Sequence, residues 1–341
     1  PSRPTRRTPD PFEGGWGNSL VWFANATGDY PDELREELFD LVFGEDGLNM
    51  NVARYNIGGG RASDVGDYFR QGAAVDGYWA HDSSTDPPTA CTAPRRRGSP
   101  TTSRSRRRGT RRTRRATTGR RTPRSGGGSR SSPPNARTSC SRRSPTPPPW
   151  FLTRSGYSSG GASSTTEQVL TQYGAPAAFT AYLTKVVEHL EDTYDVRFQS
   201  VDPFNEPCTG YWSTPTGRLA DGITPFTTAV KKPPQEGAQI CPPGSGVGQQ
   251  QSIIALLADD LAASSSDAVV SANDETNPQA FNNAWAQYDA ATRADVGQIN
   301  VHTYSDGGAA QSRDHALASG KGGLWMSETG GNWVGGRAST P

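Results

Sequence analysis

Short apolar runs alternate with helical patterns along most of this chain. We predict strands at 20–24, 51–57, 198–206, 268–272, 298–304 and 323–328. Apolar residues at helical spacing predict helices over 31–43, 177–192, 249–263 and 278–293, with a short helical stretch before the last strand. Strands that alternate with helices at this spacing are typical of a parallel α/β architecture.

The spacing of these elements predicts a (β/α)8 TIM barrel, but an incomplete one. Six strands are visible where a barrel needs eight, and the third and the eighth are the missing ones. The 341 residues are enough for one domain of barrel size, so we expect a single catalytic barrel over 1–341 that is truncated at its C-terminus. The chain begins at Pro1 without a signal peptide, which we interpret as a fragment or a mature form.

Residues 92–147 interrupt the pattern where the third strand is due. This segment holds no Val, Leu, Ile, Met, Phe, Tyr or Trp, and its part 95–143 holds 18 Arg with no Lys, Asp or Glu. An arginine-rich tract ordinarily indicates a nucleic-acid-binding or solvated arm. Residues of this kind dominate the product when GC-rich DNA is translated in the wrong frame. We therefore interpret 92–147 as out of frame or disordered. A shifted reading of 136–147 permits a buried strand, and 337–341 also permits a shifted reading; the coding DNA would distinguish these interpretations.

The net charge of +1 conceals two unlike parts of the chain. Removing the 18 Arg of 95–143 from the 35 basic residues leaves 17 against 34 acidic residues, a net of −17. So acidic a remainder argues against nucleic acid as the partner. No apolar run is long enough to cross a membrane. Acidic domains with Trp and Tyr are common among secreted polysaccharide hydrolases, so we expect an extracellular protein. Cys208 and Cys241 could pair after export, or remain two unpaired thiols.

Two predicted strands end in a glutamate beside turn-forming residues. Glu206 precedes Pro207, and Glu328 precedes Thr329 and Gly330. A carboxylate at the C-terminal end of a barrel strand lies where such barrels keep their chemistry. A retaining glycosidase needs two of them, a nucleophile and an acid/base, at about 5–5.5 Å from each other. The alternative is that each is a solvated carboxylate in a turn.

Five motifs in the chain carry a resemblance to a known family. In sequence order these are FEGGWGNSL at 12–20, NVARYNIGG at 51–59, PPWF at 148–151, NEP at 205–207 and SET at 327–329. Their order and spacing over 12–90 and 148–336 resemble glycoside hydrolase family 30, and most nearly its endo-β-1,6-galactanase branch. The resemblance implies retaining hydrolysis of a β-linked galactan. It leaves open β-1,6-glucanase, xylanase or glucosylceramidase-like specificity, and it implies a C-terminal β-sandwich that this chain lacks.

The resemblance also implies roles for individual residues. Glu206 would be the acid/base, which must hold a proton, and Glu328 the nucleophile, which must stay ionised. Arg54 would contact the nucleophile, although a purely structural ion pair is the alternative for it. Asn205 would hold the sugar 2-hydroxyl.

Further candidates line the same predicted edge of the barrel. His302 and Tyr304 alternate on one strand and match family positions that flank the nucleophile, although His302 could also be a core histidine. Glu275 also follows a strand and is expected to be structural. Among the aromatic residues that could stack on sugar rings, Trp150 matches the family position beside the reacting sugar. Trp22, Tyr211 and Trp212 could stack in the same way or pack in the core instead, and the signal for Trp333 is weaker.

The expected ligand is a polysaccharide or oligosaccharide, bound without a cofactor. The four His and four Cys are scattered and lack the spacing of metal ligands, so we predict no metal site. We expect a monomer that binds neither nucleic acid nor membrane. Two rival interpretations remain: a catalytically inactive glycan-binding barrel, and an enzyme fused to an arginine-rich nucleic-acid-binding arm.

Overall fold

Parallel strand pairs organise the part of the chain that the structure, a computed structural model, describes. Described are residues 15–20, 23–60, 75–78, 148–153, 175–208, 216–218, 225–227, 247, 249–305, 307–321 and 324–329. All of them belong to one unit, residues 1–94 and 138–341. The arginine-rich segment 92–147, the predicted third strand within it and the chain end 337–341 lie outside the described residues.

Two parallel sheets carry the ends of the strands that matter for the site. Strand β1 (Gly17–Ser19) pairs in parallel with β2 (Val52–Arg54). The larger sheet contains β3 (Ser200–Val201), β6 (Val269–Glu275), β7 (Val296–His302) and β8 (Leu324–Glu328), in that spatial order. Strands β4 (Thr216–Arg218) and β5 (Pro225–Thr227) form an antiparallel hairpin.

Helices connect the strands of the larger sheet. In chain order the helices are α1 (Phe23–Thr27), α2 (Asp32–Phe43), α3 (Ala175–Tyr194), α4 (Gln250–Ala262), α5 (Pro278–Gln287), α6 (Ala290–Asp295) and α7 (Ala309–Ala318). A 3₁₀ turn spans Trp150–Leu152. Strands β3, β6, β7 and β8 are neighbours in the same order in which they follow each other in the chain, each joined to the next through at least one helix. A sheet wound in one direction by helical crossovers confirms the predicted α/β class.

The structure confirms the predicted buried face of the longest helix. On α3 the six residues predicted to share one face are all buried: Phe179, Tyr182, Leu183, Val186, Val187 and Leu190. Leu183 is completely buried in the core cluster that α3 shares with α4. Burying a side chain of this size stabilises the fold by about 1.5–3 kcal/mol.

Several predicted boundaries were wrong. The run 20–24, predicted as the first strand, follows β1 and enters α1, because the main chain pairs with β2 at 17–19 instead. The predicted strands 51–57 and 198–206 shorten to 52–54 and 200–201. The predicted helix 278–293 breaks at Tyr288, since the side chain of Asp289 accepts a hydrogen bond from the Thr292 N–H and starts α6. The hairpin β4–β5 was predicted as loop.

Of the predicted (β/α)8 barrel, the structure confirms the coarser part, a mixed α/β fold with parallel sheets. Among the described residues the strands form separate two-stranded and four-stranded parallel sheets and no closed ring. Across the same residues, no helix is long and apolar enough to span a bilayer.

Candidate active site

Polar side chains at or after the C-terminal ends of five strands meet in one place. Arg54 ends β2, His302 ends β7 and Glu328 ends β8, while Asp274 is the second-last residue of β6. Asn205 and Glu206 follow β3 in the chain. The carboxyl ends of parallel strands lie at one edge of a sheet, which is where α/β proteins place their reactive groups.

Glu328 is surrounded by groups that stabilise its charged form. Arg54 Nη1 donates to Glu328 Oε2 at 2.5 Å, and the Tyr304 hydroxyl donates to Oε1 at 2.6 Å. Burial alone would raise the pKa of Glu328, but the positive charges of Arg54 and His302 and the Tyr304 hydrogen bond outweigh burial and lower that pKa. The side chain remains 37% exposed. Glu328 is therefore an ionised carboxylate that a ligand can reach.

Arg54 joins three acceptors from three different segments. Besides Glu328, its Nη2 donates to Asn205 Oδ1 at 3.0 Å and to Asp274 Oδ2 at 2.9 Å. The side chains of Arg54 and Asp274 are 5% and 0% exposed. Charge-assisted bonds from a planar guanidinium fix both direction and distance. Arg54 thus contacts the predicted nucleophile, and the same side chain is also a structural ion-pair partner.

His302 lies between the two predicted catalytic glutamates. Its Nδ1 is 3.2 Å from Glu206 Oε1, and its Nε2 is 3.4 Å from Asp274 Oδ2 and 3.8 Å from Glu328 Oε2. Burial lowers the pKa of His302, but the charges of Asp274 and Glu328 outweigh burial and raise that pKa to about 10. The ring is therefore an imidazolium near neutral pH. A single cation contacts both carboxylates.

Asp274 is the residue of the site that the sequence analysis missed. It is completely buried, accepts from Arg54 and faces His302. Burial raises its pKa, but the Arg54 and His302 charges lower the pKa well below its usual range. Its main-chain φ is +56° in a left-handed conformation, and the register of β6 with β7 is irregular between Asn273 and Glu275. The available signal was a pair of adjacent acids after a predicted strand.

Glu206 occupies a very different environment from Glu328. Its side chain is 2% exposed, and its own φ is +48°. The Glu206 N–H donates to Asp274 O at 2.9 Å, so two residues in unfavourable left-handed conformations hold each other in place. Such conformations persist only where neighbouring structure supports them, and they cluster at functional sites.

Glu275 lies beside the turn that follows Glu206. It is 1% exposed, and its Oε1 accepts a hydrogen bond from the Cys208 N–H at 3.0 Å. Cys208 Sγ takes part in a disulfide bond whose other cysteine lies outside the described residues. Burial raises the pKa of Glu275 to about 7. Glu275 does not cap the helix that follows, because Asn277 is the N-cap of α5 and accepts from the Ala280 N–H.

A second buried polar layer lies below the site. Asp202 is completely buried, and it accepts from Asn300 Nδ2 at 2.9 Å and from the Phe204 N–H at 3.1 Å. Burial and the negative charge of Asp274 raise the pKa of Asp202 well above its usual range.

The structure brings together six of the predicted site residues: Arg54, Asn205, Glu206, His302, Tyr304 and Glu328. Trp150 is 4% exposed, packs edge-on against Phe151 and donates its main-chain N–H to Gly59 O, so the described contacts place it in the core. The other aromatic candidates, Trp22, Tyr211, Trp212 and Trp333, lie outside the described residues. Within the described ranges, no group of three or more His, Cys, Asp or Glu is arranged to hold a metal ion.

Comparisons with known proteins point to one class of enzyme. The chain is 34% identical over 384 aligned residues to an exo-β-1,6-galactobiohydrolase of Bifidobacterium longum subsp. longum, across 96% of this chain and 24% of that protein. It is 30% identical over 150 residues to an endo-β-1,6-galactanase of Hypocrea rufa, across 44% of this chain and 27% of that protein. The chain thus spans about a quarter of the length of both curated relatives. No family model matches it.

The fold is also shared with a solved structure. A conserved exported protein of Bacteroides fragilis superimposes with a TM-score of 0.57 at 13% identity, over 92% of this chain and 60% of that one. At this identity the likeness concerns the fold alone. The two sequence relatives, both named as β-1,6-galactan-cleaving enzymes, agree with the resemblance given by the five motifs.

Proposed function

We propose that the chain carries the catalytic part of a retaining glycoside hydrolase that cleaves β-1,6-linked galactan by double displacement. The observation that supports this most is the contrast between its two glutamates. Glu328 is partly exposed and held as an anion by Arg54 and Tyr304, whereas Glu206 is buried on the other side of His302. Glycosidases that use two carboxyl groups need one that stays ionised and one that carries a proton.

In the first step a Glu328 oxygen forms a bond to the anomeric carbon. The glycosidic bond breaks, and Glu206 gives its proton to the departing oxygen. In the second step Glu206 takes a proton from water, the water oxygen bonds to the anomeric carbon, and the bond to Glu328 breaks. Protons and electron pairs balance, and Glu206 regains its starting form.

The surrounding groups act on charge and orientation. Arg54 donates a hydrogen bond to one oxygen of Glu328, and Tyr304 donates to the other. The hydrogen bond to the attacking oxygen must therefore be released as the covalent bond forms. Asn205, oriented by Arg54, would accept a hydrogen bond from the sugar 2-hydroxyl or donate one to it. This contact strengthens as positive charge develops on the sugar ring. Preorganised polar groups of this kind are a large source of rate enhancement.

The proposal extends to the architecture and the location of the protein. A closed (β/α)8 barrel is supported by the order of β3, β6, β7 and β8, which matches the order along the chain. An extracellular location is supported by the disulfide at Cys208, since disulfides persist in oxidising compartments. We further propose a monomer with a saccharide as its ligand and no cofactor.

Hydrolysis of de-arabinosylated arabinogalactan tests the substrate. We expect β-1,6-linked galacto-oligosaccharides as products, and proton NMR of the first product formed should show retained configuration. Inversion would overturn the mechanism. Binding without hydrolysis would favour the inactive glycan-binding protein instead.

A second mode of action is supported by one of the relatives. The match over 96% of this chain is to a protein named as an exo-acting galactobiohydrolase, whereas the endo-acting relative covers 44%. The sizes of early products separate the two modes. A disaccharide alone indicates exo cleavage, and a ladder of sizes indicates endo cleavage.

A further inference from the structure

Asp274 reaches both glutamates of the proposed mechanism, each through one cation. Its Oδ2 accepts from Arg54 Nη2 at 2.9 Å and lies 3.4 Å from His302 Nε2. Arg54 in turn donates to Glu328 Oε2, and His302 Nδ1 lies 3.2 Å from Glu206 Oε1. A single carboxylate oxygen therefore lies between the cation beside the nucleophile and the cation beside the acid/base. The proposed mechanism gives Asp274 no role.

The main chain of Asp274 makes a further contact with the acid/base. Its carbonyl oxygen accepts a hydrogen bond from the Glu206 N–H at 2.9 Å. Both residues have left-handed main-chain conformations, with φ of +56° at Asp274 and +48° at Glu206, and such conformations persist where the surrounding structure holds them. The side chain of Asp274 is 0% exposed, so bulk water screens its charge very little.

Several charged and titratable groups surround this part of the site. Among the described residues, those around the ring of His302 are Glu206, Asp274, Glu275, Tyr304 and Glu328. Those around the carboxylate of Asp274 are Arg54, Asp202, His302 and Glu328. A neutral ring would turn a lone pair towards one carboxyl group, whereas an imidazolium has an N–H for each side. Because Asp274 also pairs with Arg54, it is an anion, and this arrangement favours the imidazolium.

The protonation of His302 decides where Glu206 can keep its proton. A neutral ring with its lone pair at Nδ1 would accept the Glu206 proton and so withhold it from the leaving oxygen. An imidazolium instead donates from Nδ1 to Glu206 Oε1 and leaves the proton of the acid on Oε2. A buried carboxylate at the other ring nitrogen stabilises the imidazolium and fixes the orientation of the ring. Asp274 is placed to do both.

Given the proposed function, we propose that Asp274 is a positioning residue for both glutamates. It keeps His302 doubly protonated, so that the proton of Glu206 stays on the oxygen that the ring does not contact. It orients Arg54 against Glu328, and its carbonyl oxygen fixes the main chain of Glu206. Asp274 itself exchanges no proton with the substrate and forms no bond to it.

Leu183 provides a control for lost stability alone. It is completely buried on α3, in the core cluster. Leu183→Ala leaves a cavity there and lowers the melting temperature without altering any polar group of the site. An effect that appears in an Asp274 variant and not in Leu183→Ala therefore does not come from weakened stability.

The first test measures kinetics against pH. Asp274→Asn keeps the size of the side chain and removes its charge. We expect kcat to fall about 10²-fold on the polysaccharide and on an activated aryl glycoside alike, with little change in KM, because both glutamates lose their orientation. The alkaline limb of the pH profile should move to lower pH, since the loss of a negative charge makes neighbouring groups release their protons more readily. Leu183→Ala should leave kcat and the alkaline limb in place.

Two kinetic results would overturn the proposal. One is an Asp274→Asn protein with the kcat and pH profile of the unaltered protein. The other is a loss of kcat with an unmoved alkaline limb, because Asp274 would then support the fold without acting on the protonation of His302.

The second test needs no substrate. Nitrogen-15 NMR distinguishes protonated from unprotonated ring nitrogens, and with four His in the chain the signals of His302 can be assigned from His302→Gln. We expect both ring nitrogens of His302 to be protonated at neutral pH in the unaltered protein, and to lose a proton at lower pH in Asp274→Asn. A neutral ring in the unaltered protein would overturn the proposal even if Asp274→Asn failed to fold. Failure to cleave any β-1,6-galactan would overturn the proposed function alone and leave these spectra to decide the role of Asp274.

Discussion

The regions around Glu328 and Glu206 contain the same functional group in opposite settings. Around Glu328 the contacts are Arg54 and Tyr304, both donors, and more than a third of the side chain faces solvent. Around Glu206 burial is almost complete, and another glutamate lies beside its turn. His302 touches both regions, so this cation alone cannot distinguish them. In the proposed mechanism the two glutamates therefore differ in role because they differ in solvent access and in their remaining neighbours, and not in residue type.

The largest expected effect comes from removing the ionised member of the pair. Glu328→Ala deletes the group that forms the covalent bond, so we expect kcat to fall by at least about 10³-fold on every substrate, whatever its leaving group. Steady-state hydrolysis of β-1,6-galactan and of an activated aryl glycoside measures this. A variant that kept a normal rate on the activated substrate would show that Glu328 is not the nucleophile.

Removal of the buried member should distinguish the two substrates. Glu206→Ala deletes the proton donor, and we expect a loss of about 10²- to 10⁴-fold on the polysaccharide. Formation of the covalent intermediate from an activated aryl glycoside should remain fast, because its leaving group departs unprotonated. Azide should accelerate turnover by replacing the base-assisted water, with a glycosyl azide of retained configuration as product. Equal losses on both substrates would remove the distinction between the two regions.

Asp274 connects the two regions, and its loss should appear in stability. Asp274→Ala removes the fully buried carboxylate that pairs with Arg54 and His302, which we expect to cost about 3–5 kcal/mol in the free energy of unfolding. Urea denaturation measures the change. Asp32→Ala is the matched control, because Asp32 pairs with Arg35 at the surface with 84% of its side chain exposed. That variant should cost less than about 1 kcal/mol. Similar costs for both would show that the Arg54 contact adds no special stability.

Among the groups of the site whose pKa is raised, Glu275 and His302 lose a proton between about pH 7 and pH 10, and their effect on stability follows from this. The fold raises the pKa of Glu275 from 4.5 to about 7. The stabilisation from Glu275 is therefore complete below pH 4.5 and is lost as the pH rises through 7. His302 has its pKa raised from 6.5 to about 10, so its contribution is complete below 6.5 and lost through 10. The melting temperature should therefore fall in two stages as the solution becomes alkaline.

Variants separate these stages. Glu275→Gln should remove the stage between pH 4.5 and 7 and leave the alkaline stage in place. Asp274 and Glu328 have lowered pKa values, so their contributions disappear at the acid end instead. Calorimetry over pH 4–10 measures the profile. A melting temperature that rises steadily from pH 5 to 10 would contradict it.

The sequence was sufficient to predict the reactive residues that end regular strands. Glu328 was predicted because it closes an apolar run, and Arg54 and His302 because they match positions of the family that the chain resembles; the structure brings the three together. Asp274 was missed because alternation along a strand assigns adjacent residues to opposite faces. At Asp274 the left-handed φ and the irregular register break that alternation, so Asp274 and Glu275 both turn inward.

The helical predictions show the same division. The buried face of α3 follows directly from the spacing of its apolar residues, and it was predicted in full. The break between α5 and α6 depends on one hydrogen bond, from the Thr292 N–H to the side chain of Asp289. Periodicity continues through such a break, because apolar residues on both sides still face the core. Local capping therefore has to be considered separately from the hydrophobic pattern.

The smallest expected effect tests the exposed side of the Glu328 region. Tyr304→Phe removes the hydroxyl that donates to Glu328 Oε1, while Arg54 continues to hold Oε2. Tyr304 is 49% exposed, so water can replace the lost donor in part, and we expect kcat/KM to fall only about tenfold, the equivalent of roughly 1.4 kcal/mol. The acid limb of the pH profile should also move to higher pH, since the Tyr304 hydrogen bond is one of the contacts that lower the Glu328 pKa. A loss as large as that of Glu328→Ala would mean that Tyr304, rather than Arg54, is the main group that keeps the nucleophile ionised.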